Sequence, residues 1–321
     1  MKSLYFSMAI ITFFSMIILP IFAIEKSVDI DILDNSSDII LSEKEDVFFV
    51  LDSTSSKVSK MAAKDYVVGV LSEEIPPTYS IEAIKAQAVA IYTYSRKKRN
   101  DRIYSGGEYD VSTDSNLCQG FLSRDAAKEK WGDNAEKYLK IFDDAYDSVE
   151  GYVITYNDNP ILAAYHSISS GKTESALNVW NKDYPYLIAV ESIGDLLAPD
   201  YLSEALLSVD EFRSASATLG VTLGDDPSTW PKEPTRSDSG TILQYTLGDK
   251  VLTGNEMRTA FSLRSSNFDL TFNDNTFKFV VRGYGHDVGM SQNGANYMAL
   301  QGNTFLEILC WYYPGCQMSK S

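Results

Sequence analysis

Three stretches of this sequence carry side chains able to do chemistry, and the first centres on Glu74. Across residues 65–74, Val67, Val70, Leu71 and Glu74 fall at i, i+3, i+4 and i+7, which puts a carboxyl on the apolar face of a helix. Desolvation there raises its pKa and keeps it protonated near neutrality. A protonated carboxyl in a dry cleft is what general-acid cleavage of a glycosidic bond requires. Spacing alone favours a plainer alternative, a helix-end glutamate turned to water. The second stretch is Arg282-Gly-Tyr-Gly-His-Asp-Val-Gly-Met-Ser-Gln292. Glycines at 283, 285 and 289 imply unusual backbone angles or close approach, in a loop that presents His286, Ser291 and Gln292. Its spacing fits no nucleotide motif and no basic residue follows. The third is Tyr165-His-Ser-Ile-Ser-Ser-Gly-Lys172. Serine beside histidine invites a nucleophilic triad, but the chain has no G-x-S-x-G elbow and only 2 histidines. A sugar-binding wall of hydroxyls, aromatics and one lysine suits these residues better.

The elements that must position these groups follow from local pattern. Residues 46–51 read as a first strand. Pro76 ends the Glu74 helix, because the residue before proline is pushed out of the α region. A second helix is predicted over 81–96 with Ser80 as N-cap. Between Ala83 and Ser95 it carries only Lys85 as a charge, so it is buried nearly all round. The cluster Arg96 to Arg99 then sits at its C-terminus, where the helix dipole favours cations. A polar loop carrying Cys118 follows. Strands at 152–156 and 161–168 flank the turn Asn157–Pro160. The segment from Ser169 to Glu174 leads to an aromatic run, Trp180 to Tyr186. A second hairpin pairs 268–272 with 277–281 and places its aromatics on one side. A helix runs from Asn293 to Gly302, and Thr304-Phe-Leu-Glu307 is a capping-box pattern opening a last helix that closes at Tyr312-Tyr-Pro-Gly315. The fold class is therefore α+β, with mixed helices and short antiparallel strands. A main lobe (46–191 and 264–321) carries an inserted smaller lobe (192–263), with the cleft between them.

Composition bounds the function. The 321 residues are 44% hydrophobic and 22% charged, a globular balance. With 28 basic against 44 acidic residues the net charge is −16, which argues against nucleic acid as a partner. Anionic polymers would have to be recognised by shape, hydroxyls and aromatics. Residues 1–23 contain an uncharged apolar run from Met8 to Ala23, short for a membrane span and ending at an imperfect cleavage site. Signal peptide and uncleaved membrane anchor both remain open, and both export the chain. Residues 24–45 read as an acidic linker. The cysteines, Cys118, Cys310 and Cys316, form no C-x-x-C pair. Cys310 and Cys316 either pair in an oxidising compartment or stay as free thiols.

Taken together, the stretches resemble the stage II sporulation protein D family, which includes domains called amidase enhancers. The resemblance is carried by Tyr66-Val-Val-Gly-Val-Leu-Ser-Glu-Glu-Ile-Pro76 with Ile81-Glu-Ala-Ile-Lys-Ala-Gln-Ala-Val-Ala90. It continues through Tyr165–Thr173, Val179-Trp180 and Tyr184-Pro-Tyr-Leu187, then Gly283 to Gln292, Gly294-Ala295 and the closing Tyr-Tyr-Pro-Gly. It spans about 47–315 and is weakest over 192–263.

The resemblance implies a lytic transglycosylase acting on peptidoglycan glycan strands stripped of peptides, during engulfment in sporulation. It maps the catalytic glutamate onto Glu74, with Pro76 fixing the register, Glu73 as the off-face neighbour and Glu82 orienting or capping the buried helix. Glu74 then protonates the oxygen between N-acetylmuramic acid and N-acetylglucosamine, and the muramic C6 hydroxyl attacks to leave a 1,6-anhydro end. One carboxylate suffices because the nucleophile belongs to the substrate; a hydrolase more usually needs a partner about 5–9.5 Å away. Tyr165, Ser169, Lys172, His286, Gln292, Tyr312 and Tyr313 are the expected substrate-binding residues. A cell-wall amidase and other engulfment proteins are the implied partners, at the cell envelope. Two departures stand out. Asp287 replaces the family's usual glycine, which keeps a hydrolytic second carboxyl open. Ser112, Asn116 and Leu117 surround a solitary Cys118, so no metal and no cofactor are expected where some relatives have a zinc-compatible segment. The rival readings are a non-catalytic glycan-binding amidase enhancer and a muramidase-type hydrolase.

Overall fold

The computed structural model describes residues 46–320, so the expected signal peptide or anchor (1–23) and linker (24–45) lie outside the described residues. Among the described residues no helix is long and apolar enough to cross a membrane. The architecture is α+β, as its sequence pattern requires.

Everything in the main lobe is built on two consecutive helices. The first runs Ala63–Glu74 and ends where Ile75 turns extended before Pro76 (φ −131°, ψ 139°). Tyr66, Val67, Val70 and Leu71 have no exposed surface. Each such fully buried aliphatic side chain contributes about 1.5–3 kcal/mol. The second helix, Ile81–Ser105, is longer than the sequence suggested and stops at Gly106 in the left-handed conformation (φ 76°). The basic cluster therefore lies mid-helix, not at a C-terminus. Its charges are used laterally instead: Arg99 pairs with Asp46 and Lys97 with Asp101, each at 2.5 Å. Ser80 occupies the N-cap position without a side-chain cap bond. Glu82 does not cap its own helix. It accepts from Lys85 Nζ and from the backbone N–H of Phe305, both at 2.8 Å, joining this helix to the last one.

Two helices went unforeseen in the polar region, Arg124–Trp131 and Ala135–Val149. The second buries Leu139, Phe142, Ala145, Tyr146 and Val149 along one stripe, packed on the first two helices. The expected strand 161–168 is mostly irregular; Tyr165–His166 pairs in parallel with Met290–Ser291, and Ile168 makes a single antiparallel bridge to Tyr284. A second parallel pairing joins Val50–Leu51 to Val111–Ser112, so the short strands are not all antiparallel. The 268–281 hairpin is present, with Asp274-Asn275 at positive φ at its tip; the first hairpin is tighter than expected, pairing Thr155-Tyr156 with Asn159-Pro160 in place of 161–168, with Asn157-Asp158 at positive φ.

A second hydrophobic cluster holds Phe212, Trp230, Tyr245, Met257, Phe261, Phe268, Phe277 and Phe279. The hairpin 268–282 therefore packs with the inserted lobe, and its strand Thr276–Arg282 pairs antiparallel with Leu202–Ser208. That cluster thus draws on residues from Ala205 to Val281. The physical reason is the alternating phenylalanine face of the hairpin, which finds Phe212 stacked on Phe277 at 4.0 Å between centroids. Glu174 fastens the two lobes. This buried carboxylate accepts from the Ser237 and Ser239 hydroxyls of the insert, and from Ser175 N–H and Asn178 Nδ2 on its own side. The three cysteines are free thiols.

Candidate active site

Glu74 is the last residue of its helix and lines a groove of about 390 Å³. Ser167, Gln292 and Asn293 line it with Glu74, as do Tyr79, Trp131 and Tyr284. Ala198, Pro199, Asp200 and Arg264 also line it.

The local cause of the Glu74 geometry is the polar loop. A Cβ on Gly69 would stand 2.2 Å from the Phe121 ring, so glycine there lets Phe121 lie flat on the helix. Leu122 N–H then donates to Gly69 O at 3.0 Å. This docking brings Gly120 N–H onto Glu74 Oε1 at 2.6 Å. Burial raises the Glu74 pKa, the Gly120 bond opposes it, and the neighbouring Glu73 carboxylate adds to the rise. Glu73 itself is exposed and paired with Lys130 at 2.9 Å. A carboxyl held by one backbone donor in a part-dry groove is poised to give up and take back a proton.

The other expected site residues divide. Gln292 is 5% exposed, lines the Glu74 groove, and leaves its Nε2 without a protein partner among the described residues. Tyr165 and His286 line an adjoining cavity, and the Glu74 charge is among those that raise the Tyr165 pKa after burial itself. His286 is neutral: burial, then the neighbouring His166, pushes its pKa down to about 3. Its Nδ1 accepts from Val288 N–H at 3.1 Å. Lys172 faces elsewhere, 3.5 Å from Glu191.

Ser169, Tyr312 and Tyr313 do not reach the groove; all three are 0% exposed. Tyr313 donates to Ala164 O at 2.8 Å and Tyr312 to Ser192 Oγ at 2.7 Å. Their polar tips made them look like binding residues, yet they satisfy buried backbone and hydroxyl groups. Ser169 belongs to a network on Asp195, a residue that sequence pattern did not single out. Asp195 Oδ2 accepts from Ser169 N–H, Ser169 Oγ and Ser192 Oγ at 2.9, 2.6 and 2.8 Å. Its Oδ1 accepts from Ser291 Oγ and Asn293 Nδ2 at 2.8 and 3.2 Å. One carboxylate therefore binds three chain segments behind the wall that carries Gln292 and Asn293.

The glycine loop behaves as its composition requires. At Gly289 (φ 76°) a Cβ would stand 2.1 Å from Ala164 O, so only glycine permits the parallel pairing beside Tyr165. Asp287 adopts φ 65° and is 1% exposed; burial pushes its pKa far up, and it lines neither cavity.

Comparison with known proteins meets this geometry. Residues 52–156 match the family model for SpoIID, stage II sporulation protein. Stage II sporulation protein D of Bacillus subtilis is 34% identical over 273 residues, covering 85% of this chain and 78% of that protein. This chain belongs to the SpoIID family. The Bacillus amyloliquefaciens protein of the same name is also 34% identical, over 277 residues and the same shares. The amidase enhancer of B. subtilis is 27% identical over 311 residues, covering 78% of this chain and 40% of that protein. The Glu74 helix and the polar loop fall inside the matched SpoIID model.

Proposed function

We propose that this SpoIID-family chain is a lytic transglycosylase that cuts peptidoglycan glycan strands between N-acetylmuramic acid and N-acetylglucosamine. The observation that carries the reading is Glu74: a carboxyl whose pKa is raised by burial, lining a groove, held by a single backbone donor. The protonated Glu74 gives its proton to the glycosidic oxygen as the bond to the anomeric carbon breaks. The resulting carboxylate takes the proton of the muramic C6 hydroxyl, whose oxygen bonds to the anomeric carbon. The products are a free 4-hydroxyl on N-acetylglucosamine and a 1,6-anhydro end, with no water consumed. A hydrolase needs a second carboxylate for water. Asp287 is enclosed away from the groove and Glu73 is tied to Lys130; Asp200 also lines the groove, and Asp200→Asn should leave cleavage intact if the nucleophile belongs to the substrate.

The names of the relatives support a role at the cell envelope in sporulation. The amidase enhancer's name also supports a cell-wall amidase as partner, and the uncharged run from Met8 to Ala23 serves as leader or anchor in this reading. Digestion of peptide-free glycan strands by the full-length protein, beside Glu74→Gln, tests the reading by mass spectrometry. Anhydro-ended fragments from the wild type alone are expected. Reducing ends would make the protein a hydrolase, and binding without cleavage by both proteins would leave a glycan-gripping amidase enhancer.

A further inference from the structure

The arginines of this acidic chain are used unevenly. Among the described residues Arg96, Arg99, Arg102, Arg124, Arg236 and Arg282 each pair with an aspartate. Arg213, Arg258 and Arg264 have no ion pair among those residues. Arg213 lies over the Trp230 ring in the insert. Arg258 and Arg264 instead line one cavity of about 430 Å³, together with Thr259, Ser262, Leu263 and Tyr284. In a chain of net charge −16, this cavity gathers two cations and no carboxylate.

Both guanidiniums are held in place with donors to spare. Arg264 lies over the Tyr284 ring, 4.2 Å from its centroid, which orients the guanidinium plane. Its Nε is enclosed, but its two terminal nitrogens reach solvent and have no partner among the described residues. Arg258 donates from Nε to Leu263 O at 3.3 Å and keeps its terminal nitrogens free. Burial lowers the Arg258 pKa, opposed by the charge of Asp287. Asp287 supplies little of that charge, because its own burial favours the neutral form, and it does not line the cavity. Carbonyls at the end of the short helix Gly254–Ala260 would repel an anion. Those of Met257, Arg258 and Thr259 already accept from Phe261, Leu263 and Ser262 N–H groups.

The donor set says which anion fits. One bidentate guanidinium satisfies a carboxylate, whereas two of them with the Thr259 and Ser262 hydroxyls match the additional oxygens and charge of a phosphate. We infer that Arg258 and Arg264 form a phosphate-binding site, taking either free phosphate or a phosphodiester carried on a polyol chain. Arg264 and Tyr284 also line the Glu74 groove, so the bound phosphate sits against the groove's own wall. The site is read from these side chains alone and does not rest on the transglycosylase reading.

The test is calorimetric titration of the full-length protein with inorganic phosphate, poly(glycerol phosphate) and acetate at one fixed ionic strength. Both phosphate probes are expected to bind, and acetate about tenfold more weakly. Arg258→Gln and Arg264→Gln should each weaken the phosphate probes about tenfold. Arg213→Gln removes the same charge from the third unpaired arginine and should leave them unchanged. Melting temperatures report whether the variants stay folded. Thr259→Glu, an exposed change that sets a negative charge in the lining, should abolish phosphate binding independently of the arginine variants. Tighter binding of poly(glycerol phosphate) than of inorganic phosphate, per phosphate group, assigns the site to a chain-borne group; the reverse order assigns it to free phosphate. Failure of both phosphate probes to bind, acetate binding as tightly as phosphate, or phosphate binding that survives Thr259→Glu would overturn the site. So would losses in Arg213→Gln equal to those in Arg258→Gln and Arg264→Gln.

Discussion

Replacing Asp195 should loosen the groove from behind, without touching substrate. Its carboxylate accepts five hydrogen bonds, from Ser169 N–H and Oγ, Ser192 Oγ, Ser291 Oγ and Asn293 Nδ2. In Asp195→Ala the Ser169 amide, which is buried, loses its acceptor, and three hydroxyls and a carboxamide must find others. Bonds to a charged acceptor are worth about 1.5–3 kcal/mol each, but recovering the carboxylate's own desolvation offsets much of the sum. The net expectation is the scale of breaking a buried charged network, about 3–5 kcal/mol. Asp195→Asn keeps the shape and one acceptor oxygen facing Ser169. The serine hydroxyls can turn to accept, and only the Asn293 contact opposes donor to donor, so the cost is about 1 kcal/mol. Burial raises the Asp195 pKa against the pull of Ser169, Ser291 and Ser192. A raised carboxyl means the folded state holds the extra proton between the unfolded and folded pKa values, so stability falls as pH rises through that window. The Asn variant should lose this slope. Urea unfolding of full-length wild type and both variants, followed by tryptophan fluorescence at several pH values, reads all of it. An Ala variant within 1 kcal/mol of wild type, or an Asn variant with an unchanged pH slope, would refute the claim that this carboxylate organises the groove wall.

Gly120→Ala should reduce glycan cleavage about ten- to a hundredfold with little change in melting temperature. Its Cβ would meet Glu74 Oε1 at 3.0 Å and Glu73 Cγ at 2.9 Å, displacing the acid; steady-state rates on peptide-free strands check this. Cleavage by wild type should fall as pH rises through the raised Glu74 pKa, because the acid form starts the reaction. Glu73→Gln, by removing the like charge, should move that alkaline limb to lower pH, and a limb that stays in place would assign it to another group. At Glu174 burial raises the pKa, but hydrogen bonds from Ser237, Ser239, Ser175 and Asn178 outweigh it and leave the pKa lowered. Its contribution is then present above the unfolded value and lost as pH falls through the folded one. Glu174→Ala should accordingly destabilise by about 3 kcal/mol at neutral pH and less in acid, as read by melting temperature.

Much of the site was legible locally. Helix period placed Glu74 on a buried face, Pro76 set the helix end, and glycines 283, 285 and 289 marked the loop that wraps Tyr165. These depend on neighbours within a few residues, which sequence displays directly. The Gly120 bond to Glu74 crosses 46 positions, and the Asp195 bonds to Ser291 and Asn293 cross 96 and 98. No periodicity records such pairs. Tyr312 and Tyr313 show the converse: a polar tip looks alike whether it meets a sugar or a buried carbonyl. The partner of the 268–282 hairpin was equally hidden, because a phenylalanine face fits any apolar partner and only packing chose Phe212.

Sequence by itself therefore determined the α+β class and the kinship with SpoIID, and it singled out Glu74 as the candidate acid. Which groups stand beside that carboxyl, and which tyrosines are spent on the core, was decided only by tertiary structure, because those contacts are set by chain crossings that local pattern does not encode.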